Sequence, residues 1–477
     1  MAKVDSAKSQ QALDTLLKAI GLIENEGGGT VTIKGKDPIL SSRHRFGEVM
    51  AASQAALGIG LAGIWKAQGG PGQDVTTDVE RAVHQHHGIH YMRQNGRRLN
   101  FVDDMTQYTL TKEFYPTRDS RFVKLEIFYP RLRDAVFRVL RCAPTARAME
   151  AAILQWDGEA LERAVREEGG AIAVVRTAEE WLAHPVGRRL AAQPVVEVTK
   201  IGDSDPVPLP RGGELPLDGL KVLDNTHVIG GPITTRTLAE FGAEVLHLSH
   251  PANPDHMNWR LETDIGKRSA YCDLGIEADK RSFFKLLQDT DVFACSYLNM
   301  EDKGISPHRL ADAKPGIIAH ELRCFDFEGE WANFRGFDMM AVTTTGYVAS
   351  EGAIDAPQMP IQVILADYLA AYAGAAGIAA ALLRRSREGG SYRVRVSLCR
   401  MAMWTQELGL LDHTALNGKL PMLDIANQND VPLRTIASPF GEITYLPSQI
   451  ATSKFQQHFT RGPQPLGSSR LEWLEQT

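Results

Sequence analysis

From residue 220 to 321, short apolar runs alternate with amphipathic stretches. Segments 220–224, 244–248, 292–295 and 317–321 read as strands, and segments 234–241 and 280–287 as helices. Each strand is separated from the next by a helix-length connection. That spacing suits crossovers that return every strand in the same direction. The pattern therefore predicts an α/β fold with a doubly wound, Rossmann-like parallel sheet.

The rest of the chain has a different texture. At 477 residues it is long for one domain. Segment 12–23 predicts an amphipathic helix stopped at Gly27-Gly28-Gly29, 30–34 a strand, 48–66 an Ala- and Gly-rich helix, and 74–79 another strand. From 100 to 200, aromatic strand-like runs such as 122–129 mix with charged helices at 146–154 and 158–168, and Trp181 lies in a third, as expected of a smaller α+β lobe. The Pro- and Gly-rich stretch DSDPVPLPRGGELP marks a linker. The expected organisation is a partial large-lobe segment at 1–99, the small lobe at 100–200 and the linker at 201–215. The large lobe follows at 216–415, with a C-terminal extension packed on it at 416–477.

Composition excludes several classes. A net charge of −6 provides no global field for nucleic acid or anionic membrane. The five cysteines are scattered, with neither zinc-finger nor redox spacing, and read as free thiols in a reducing compartment. The polar N-terminus lacks a signal-peptide core. The most apolar stretch, 364–383, carries Asp367 and runs into Arg384-Arg385, so a buried helix is expected rather than a membrane span. These readings place the protein in the cytoplasm.

A weak internal repeat joins the two ends of the chain. Gly70-x-Gly72-x-x-Val75 matches Gly389-x-Ser391-x-x-Val394, and the same offset sets Glu48 opposite Asp367 and Gly47 opposite Ala366.

Asp367 follows the apolar run 361–365, a possible strand, and precedes a helix expected over 368–383. A carboxylate there meets outward-pointing helix N–H groups, which keep it ionised. It can serve as an N-cap, as a nucleophile, or as both. Asp338 reads as a cap or as a second acid. His227, in the loop after the first strand of the α/β region, lies where such folds bind ligands, without dinucleotide glycine spacing. Lys267-Arg268 precedes a possible strand at 270–274 and is either a phosphate-binding pair or a solvated one. His84, His86, His87 and His90 crowd one helix start but lack the H-E-x-x-H pattern, so no metal is expected.

Residues 216–415 resemble the class III CoA-transferases, the family of formyl-CoA transferase, carnitine CoA-transferase and α-methylacyl-CoA racemase. The resemblance rests on Pro216-Leu217-x-Gly219-Leu220-x-Val222-Leu223-Asp224, on Thr226-His227-Val228 with Gly231-Pro232, and on Leu238-Ala239-x-x-Gly242-Ala243-Glu244-Val245. Gly266-Lys267-Arg268-Ser269 is similar to the family's Asn-Lys-Arg-Ser, and Asp367 falls where the family has its catalytic aspartate. Gly70-Pro71-Gly72-Gln73-Asp74-Val75 and residues 100–200 resemble the remainder of the family, so the chain looks like a permuted, partly duplicated arrangement.

The resemblance implies CoA transfer between an acyl-CoA and a carboxylic acid through an aspartyl-CoA thioester on Asp367, with CoA as substrate and no tightly bound cofactor. It implies CoA contacts at His227, Val228, Ile229, Gly230, Lys267, Arg268, Asn299 and Lys303, oxyanion donors among the amides of Gly230, Gly231 and Asp367, and a homodimer. The chain also departs from the family. The family's Glu-Asn-Phe-Arg-Pro-Gly loop is replaced by Cys295–Met300, an expected Arg is Asp302, and further basic positions hold His250 and Gly275. Phe337 stands where racemases carry the His of Gly-His-Asp, which argues against racemisation. Two rival readings follow: an acyl-CoA isomerase or lyase on the same fold, and a non-catalytic acyl-CoA-binding member.

Overall fold

The computed structural model describes residues 3–99, 112–252, 254–360, 364–412 and 431–474. Its largest sheet runs Lys267–Tyr271, Glu244–Ser249, Lys221–Asn225, Val292–Cys295, Ile318–Arg323, Ser391–Ser397, Glu197–Gly202. The first six strands are parallel and the last is antiparallel. Counted from Lys221–Asn225, the parallel order is 3-2-1-4-5-6, the doubly wound order expected from the alternation. The order reverses between Lys221–Asn225 and Val292–Cys295, and loops from both strands meet there. Val292, Phe293, Ala294 and Cys295 are all buried, as a parallel strand covered on both faces requires.

The small lobe is a three-stranded antiparallel sheet, Tyr115–Pro116, Phe122–Glu126 and Ala171–Val174, with helices Pro130–Leu140, Ala146–Ile153 and Gly158–Glu167. Its buried Glu162 takes Arg166 and Arg176, and the Arg166 guanidinium lies 3.8 Å from the Trp331 ring centre of the large lobe. At the N-terminal end, strands Gly28–Lys34 and Gln73–Asp78 pair in parallel around helix Phe46–Ala67. The C-terminal extension divides its contacts. Strand Gly441–Tyr445 pairs with Arg93–Gln94 and Ala451–Thr452 with Gln73–Asp78, while Trp473 Nε1 donates to the Leu286 carbonyl of the large lobe. The expected linker starts within strand Glu197–Gly202; the stretch after Gly202 has no regular structure, yet it is docked: the Val207 N–H donates to Arg385 O and the Gly390 N–H to Ser204 O.

Two long Ala/Gly helices, Phe46–Ala67 and Leu365–Glu388, form the centre of the molecule. Both are long and apolar enough to cross a membrane, and the apolar stretch of each is buried inside the protein. Small residues let them touch. A Cβ on Gly60 would lie 2.8 Å from Ala379 Cβ, and one on Gly377 would lie 2.8 Å from Val394 Cγ1 of the sheet beneath. The repeat is visible here, since the two helices pair with each other and Glu48 and Asp367 each occupy the third helical position.

Several expected boundaries shift. The first helix is Ala7–Ile20 and ends at Gly21, in the left-handed conformation at φ 69°, not at Gly27-Gly28-Gly29. The helix expected from 368 starts at Leu365, so Asp367 lies inside the first turn and Ile364 is the N-cap. Of the possible strand at 361–365, residues 361–363 lie outside the described residues. Lys267 and Arg268 belong to the strand itself, Lys267–Tyr271, rather than preceding it.

Candidate active site

The site forms where helix Leu365–Glu388 meets the loop after strand Lys221–Asn225. That loop ends at Gly230, the first residue of helix Gly230–Glu240, whose N–H donates to the Asp367 carboxylate. The approach demands glycine. A Cβ on Gly230 would sit 2.7 Å from Asp367 Oδ1 and 3.1 Å from Leu322 Cδ1. Gly230→Ala should therefore displace the carboxylate. We expect transfer rates about a hundredfold lower and a stability loss of about 1–3 kcal/mol, read from initial rates and thermal melting.

Asp338 opens helix Asp338–Thr344, and its Oδ2 accepts from the N–H groups of Ala366 and, at 3.2 Å, Asp367. It thus caps the helix that carries Asp367, a role the sequence assigned to Asp367 itself. This also corrects the expectation that helix amides keep Asp367 ionised. Those donors are engaged by Asp338, and the Asp367 amide is not free for an oxyanion. Asp367 is 6% exposed. Burial first, then the neighbouring Asp338 charge, pushes its pKa well above the usual carboxylate range, against the Gly230 hydrogen bond. Burial raises Asp338 to about 6, against the amide bonds from Asp367 and Ala366.

The first copy uses the same capping device with a different outcome. Asp37 Oδ2 accepts from the Glu48 N–H at 2.8 Å, but Glu48 also holds Arg45 at 3.1 Å and the Ser6 hydroxyl. Each acid thus has a second acid at its cap, but only Glu48 also has a cation, Arg45, beside it.

The remaining candidates fall into two groups. His227, Val228, Ile229 and Gly230 are contiguous with the site. The His227 N–H donates to Ser296 Oγ at 2.9 Å, and its ring stacks on Tyr297 at 4.1 Å, tying the loops after the first and fourth strands together. Burial lowers the His227 pKa, which favours the neutral imidazole. Val228 sits at φ 69°, where a β-branched residue costs about 1–3 kcal/mol. Asn299 lines a cavity of about 470 Å³ between the loops after Val292–Cys295 and Ile318–Arg323, with Tyr297, Glu321, Arg323 and Arg395. Leu322 lines the same cavity and lies next to Gly230. Lys303 closes a short turn, Glu301–Lys303, and does not line the cavity.

Lys267 and Arg268 are engaged elsewhere. Lys267 is 1% exposed, and its Nζ donates to Asp224 Oδ2 and Pro232 O, both at 2.8 Å. Arg268 bonds Glu244 at 3.2 Å and the Glu472 carbonyl at 2.8 Å. Neither is a solvated surface cation, and Lys267 points into the core. Burial pushes Asp224 up, but the Lys267 charge, with His247 and the Lys267 and Thr226 hydrogen bonds, outweighs it and holds the carboxyl below its usual range. Among the described residues no group of His, Cys, Asp and Glu is arranged to hold a metal ion, and all five cysteines are free thiols. Sequence reasoning missed Asp255, whose carboxylate accepts from both the Val228 N–H and the Tyr129 hydroxyl. It lies in a Pro/Asn-rich loop with no periodicity to single it out.

Fold and site together define a Rossmann-like α/β protein with an acid at a helix mouth facing the loop of its first strand. Residues 217–436 match the family model of CoA-transferase family III. The acetyl-coenzyme A transferase nodX of Hypoxylon pulicicidum is 28% identical over 298 residues, covering 58% of this chain and 49% of the relative. The probable fatty acyl-CoA transferase Rv3272 of Mycobacterium tuberculosis is 29% identical over 218 residues, 42% of this chain and 54% of the relative. The CoA-transferase/lyase DddD of a Marinomonas species is 28% identical over 198 residues, 40% of this chain and 24% of the relative. A crystal structure of M. tuberculosis Rv3272 aligns with a TM-score of 0.39 at 28% identity, over 43% of this chain and 57% of that one. The chain spans about half the length, or less, of these curated relatives.

Proposed function

We propose that the protein moves CoA between an acyl-CoA and a carboxylic acid, with Asp367 as the nucleophile. The observation that carries this reading is the contact between the Asp367 carboxylate and the Gly230 amide, at the end of the loop after strand Lys221–Asn225. Similarity to proteins named as CoA-transferases supports it.

An Asp367 oxygen attacks the thioester carbonyl, and the CoA thiolate leaves, giving a mixed anhydride. The thiolate then attacks the aspartyl carbonyl and displaces the acyl group as its carboxylate, leaving an aspartyl-CoA thioester. The acceptor carboxylate attacks that thioester, and the same two exchanges return Asp367 and a new acyl-CoA. One thioester replaces another, so the sequence needs neither ATP nor metal. The covalent route divides the transfer into easier steps. Acyl-CoA is a substrate here, no tightly bound cofactor takes part, and a cytoplasmic homodimer is the setting this reading assumes.

Burial that raises the Asp367 pKa makes its anion more basic and hence more nucleophilic, but keeps it protonated toward acid pH. Transfer should therefore rise with pH as Asp367 ionises. Asp338→Asn removes the adjacent charge while leaving an acceptor for the helix amides. The acid limb of the pH–rate profile should then move to lower pH; an unmoved limb would show that the two carboxyls do not communicate.

A second reading, non-catalytic acyl-CoA binding, is favoured by the enclosure of Asp367 and by the internal pairing of Lys267. The partial match to DddD favours a third, CoA-linked lyase chemistry. Incubation with a panel of acyl-CoAs and carboxylates, with products read by mass spectrometry, separates the three. Transfer yields a second CoA ester, lyase chemistry cleaves the acyl chain, and a binding protein changes neither.

A further inference from the structure

Val228 is two residues ahead of the amide that meets Asp367, and it is a β-branched residue held at φ 69°. Such a residue relaxes toward negative φ unless its surroundings fix it. Here the Val228 N–H donates to Asp255 Oδ2 at 2.8 Å. The other oxygen, Asp255 Oδ1, accepts from the Tyr129 hydroxyl at 2.9 Å. Tyr129 is the N-cap residue of helix Pro130–Leu140 in the small lobe, and its ring lies 6.1 Å from Phe337 and 5.5 Å from His256. One carboxylate thus connects the small lobe to the turn that ends at Gly230.

We propose that Asp255 is a positioning residue that locks Val228 in the left-handed conformation and so aims the Gly230 amide at Asp367. Rotation about φ of Val228 swings the peptides that follow it, and Gly230 is too close in sequence to be insulated from that swing. Asp255 acts through the backbone alone. Because its second oxygen is bound to Tyr129, the seating of the small lobe sets the geometry of the turn. The inference deepens the CoA-transfer reading and rests on it for the meaning of the turn, but not for its mechanics.

The test uses the full chain and two readouts, hydrogen–deuterium exchange at residues 228–232 and calorimetric titration with coenzyme A. Asp255→Ala should raise exchange in the turn and weaken CoA binding, each by about tenfold or more. Asp255→Asn keeps an acceptor oxygen and should stay within about threefold of wild type on both. Unchanged exchange in Asp255→Ala overturns the proposal. If Asp255→Ala does not fold, Tyr129→Phe takes its place; it should raise exchange at 228–232, and unchanged exchange overturns the proposal. If wild type does not bind CoA while exchange responds as expected, the CoA reading fails and the positioning role stands. If wild type binds CoA and Asp255→Ala binds it equally well, the positioning role fails.

Discussion

Asp367→Asn should lower CoA transfer by about a thousandfold or more, the scale on which loss of a covalent nucleophile acts, while the protein stays folded. Asparagine fills the same space and still accepts from the Gly230 N–H, so the packing of helix Leu365–Glu388 is kept. Its effect on stability has a definite sign. The Asp367 pKa is raised in the folded state, so its contribution to stability is full below the ordinary carboxylate value. It is lost as pH rises toward and through the raised value. Wild type should therefore lose melting temperature with rising pH across that window, and Asp367→Asn should show a flatter profile. Activity assays paired with melting curves from acid to alkaline pH check both parts. Transfer retained in Asp367→Asn would remove Asp367 as the nucleophile.

Lys267→Ala should destabilise the fold by about 3–5 kcal/mol, because it leaves a buried carboxylate without its cation. Asp224 is fully buried, and its Oδ2 holds Lys267 Nζ and the Thr235 hydroxyl. Removing Lys267 also takes one of its donors from the Pro232 carbonyl, at the start of helix Gly230–Glu240, leaving the Thr235 hydroxyl at 3.1 Å. Pairing the change with Asp224→Asn should recover part of the loss. Chemical denaturation reads these differences directly. A phosphate-binding Lys267 predicts the opposite pattern, with weaker CoA binding and an unchanged denaturation midpoint.

The parallel sheet was legible because its strands are short, apolar and separated by helix-length connections. Val292–Cys295 has the bounds the pattern implied, since an apolar run closed by Asp291 on one side and Ser296 on the other has sharp edges. The strand Lys267–Tyr271 was misplaced for a physical reason. A Lys-Arg pair reads as solvated, and the partners that allow its burial lie on other strands of the sheet, Glu244 on the adjacent strand and Asp224 on the one beyond it. The same limit applies to the helix start. Asp367 has the residue type of an N-cap, but Asp338 supplies the capping oxygen from another helix. No local pattern encodes that exchange. The repeat carried more than its weak similarity indicated, because Glu48 and Asp367 occupy equivalent positions under equivalent acidic caps. It could not show that Arg45 accompanies only the first of them. Asp255 was invisible because its role arises from a strained backbone and a tyrosine in the other lobe.

Trapping the covalent intermediate addresses the central claim. The protein is incubated with an acyl-CoA and no acceptor, quenched with hydroxylamine and digested, and the peptide containing Asp367 is read by mass spectrometry. The CoA-transfer account predicts a hydroxamate on Asp367 that forms only when acyl-CoA is present and is absent from Asp367→Asn. Turnover of acyl-CoA to a second CoA ester with Asp367 left unmodified would contradict it.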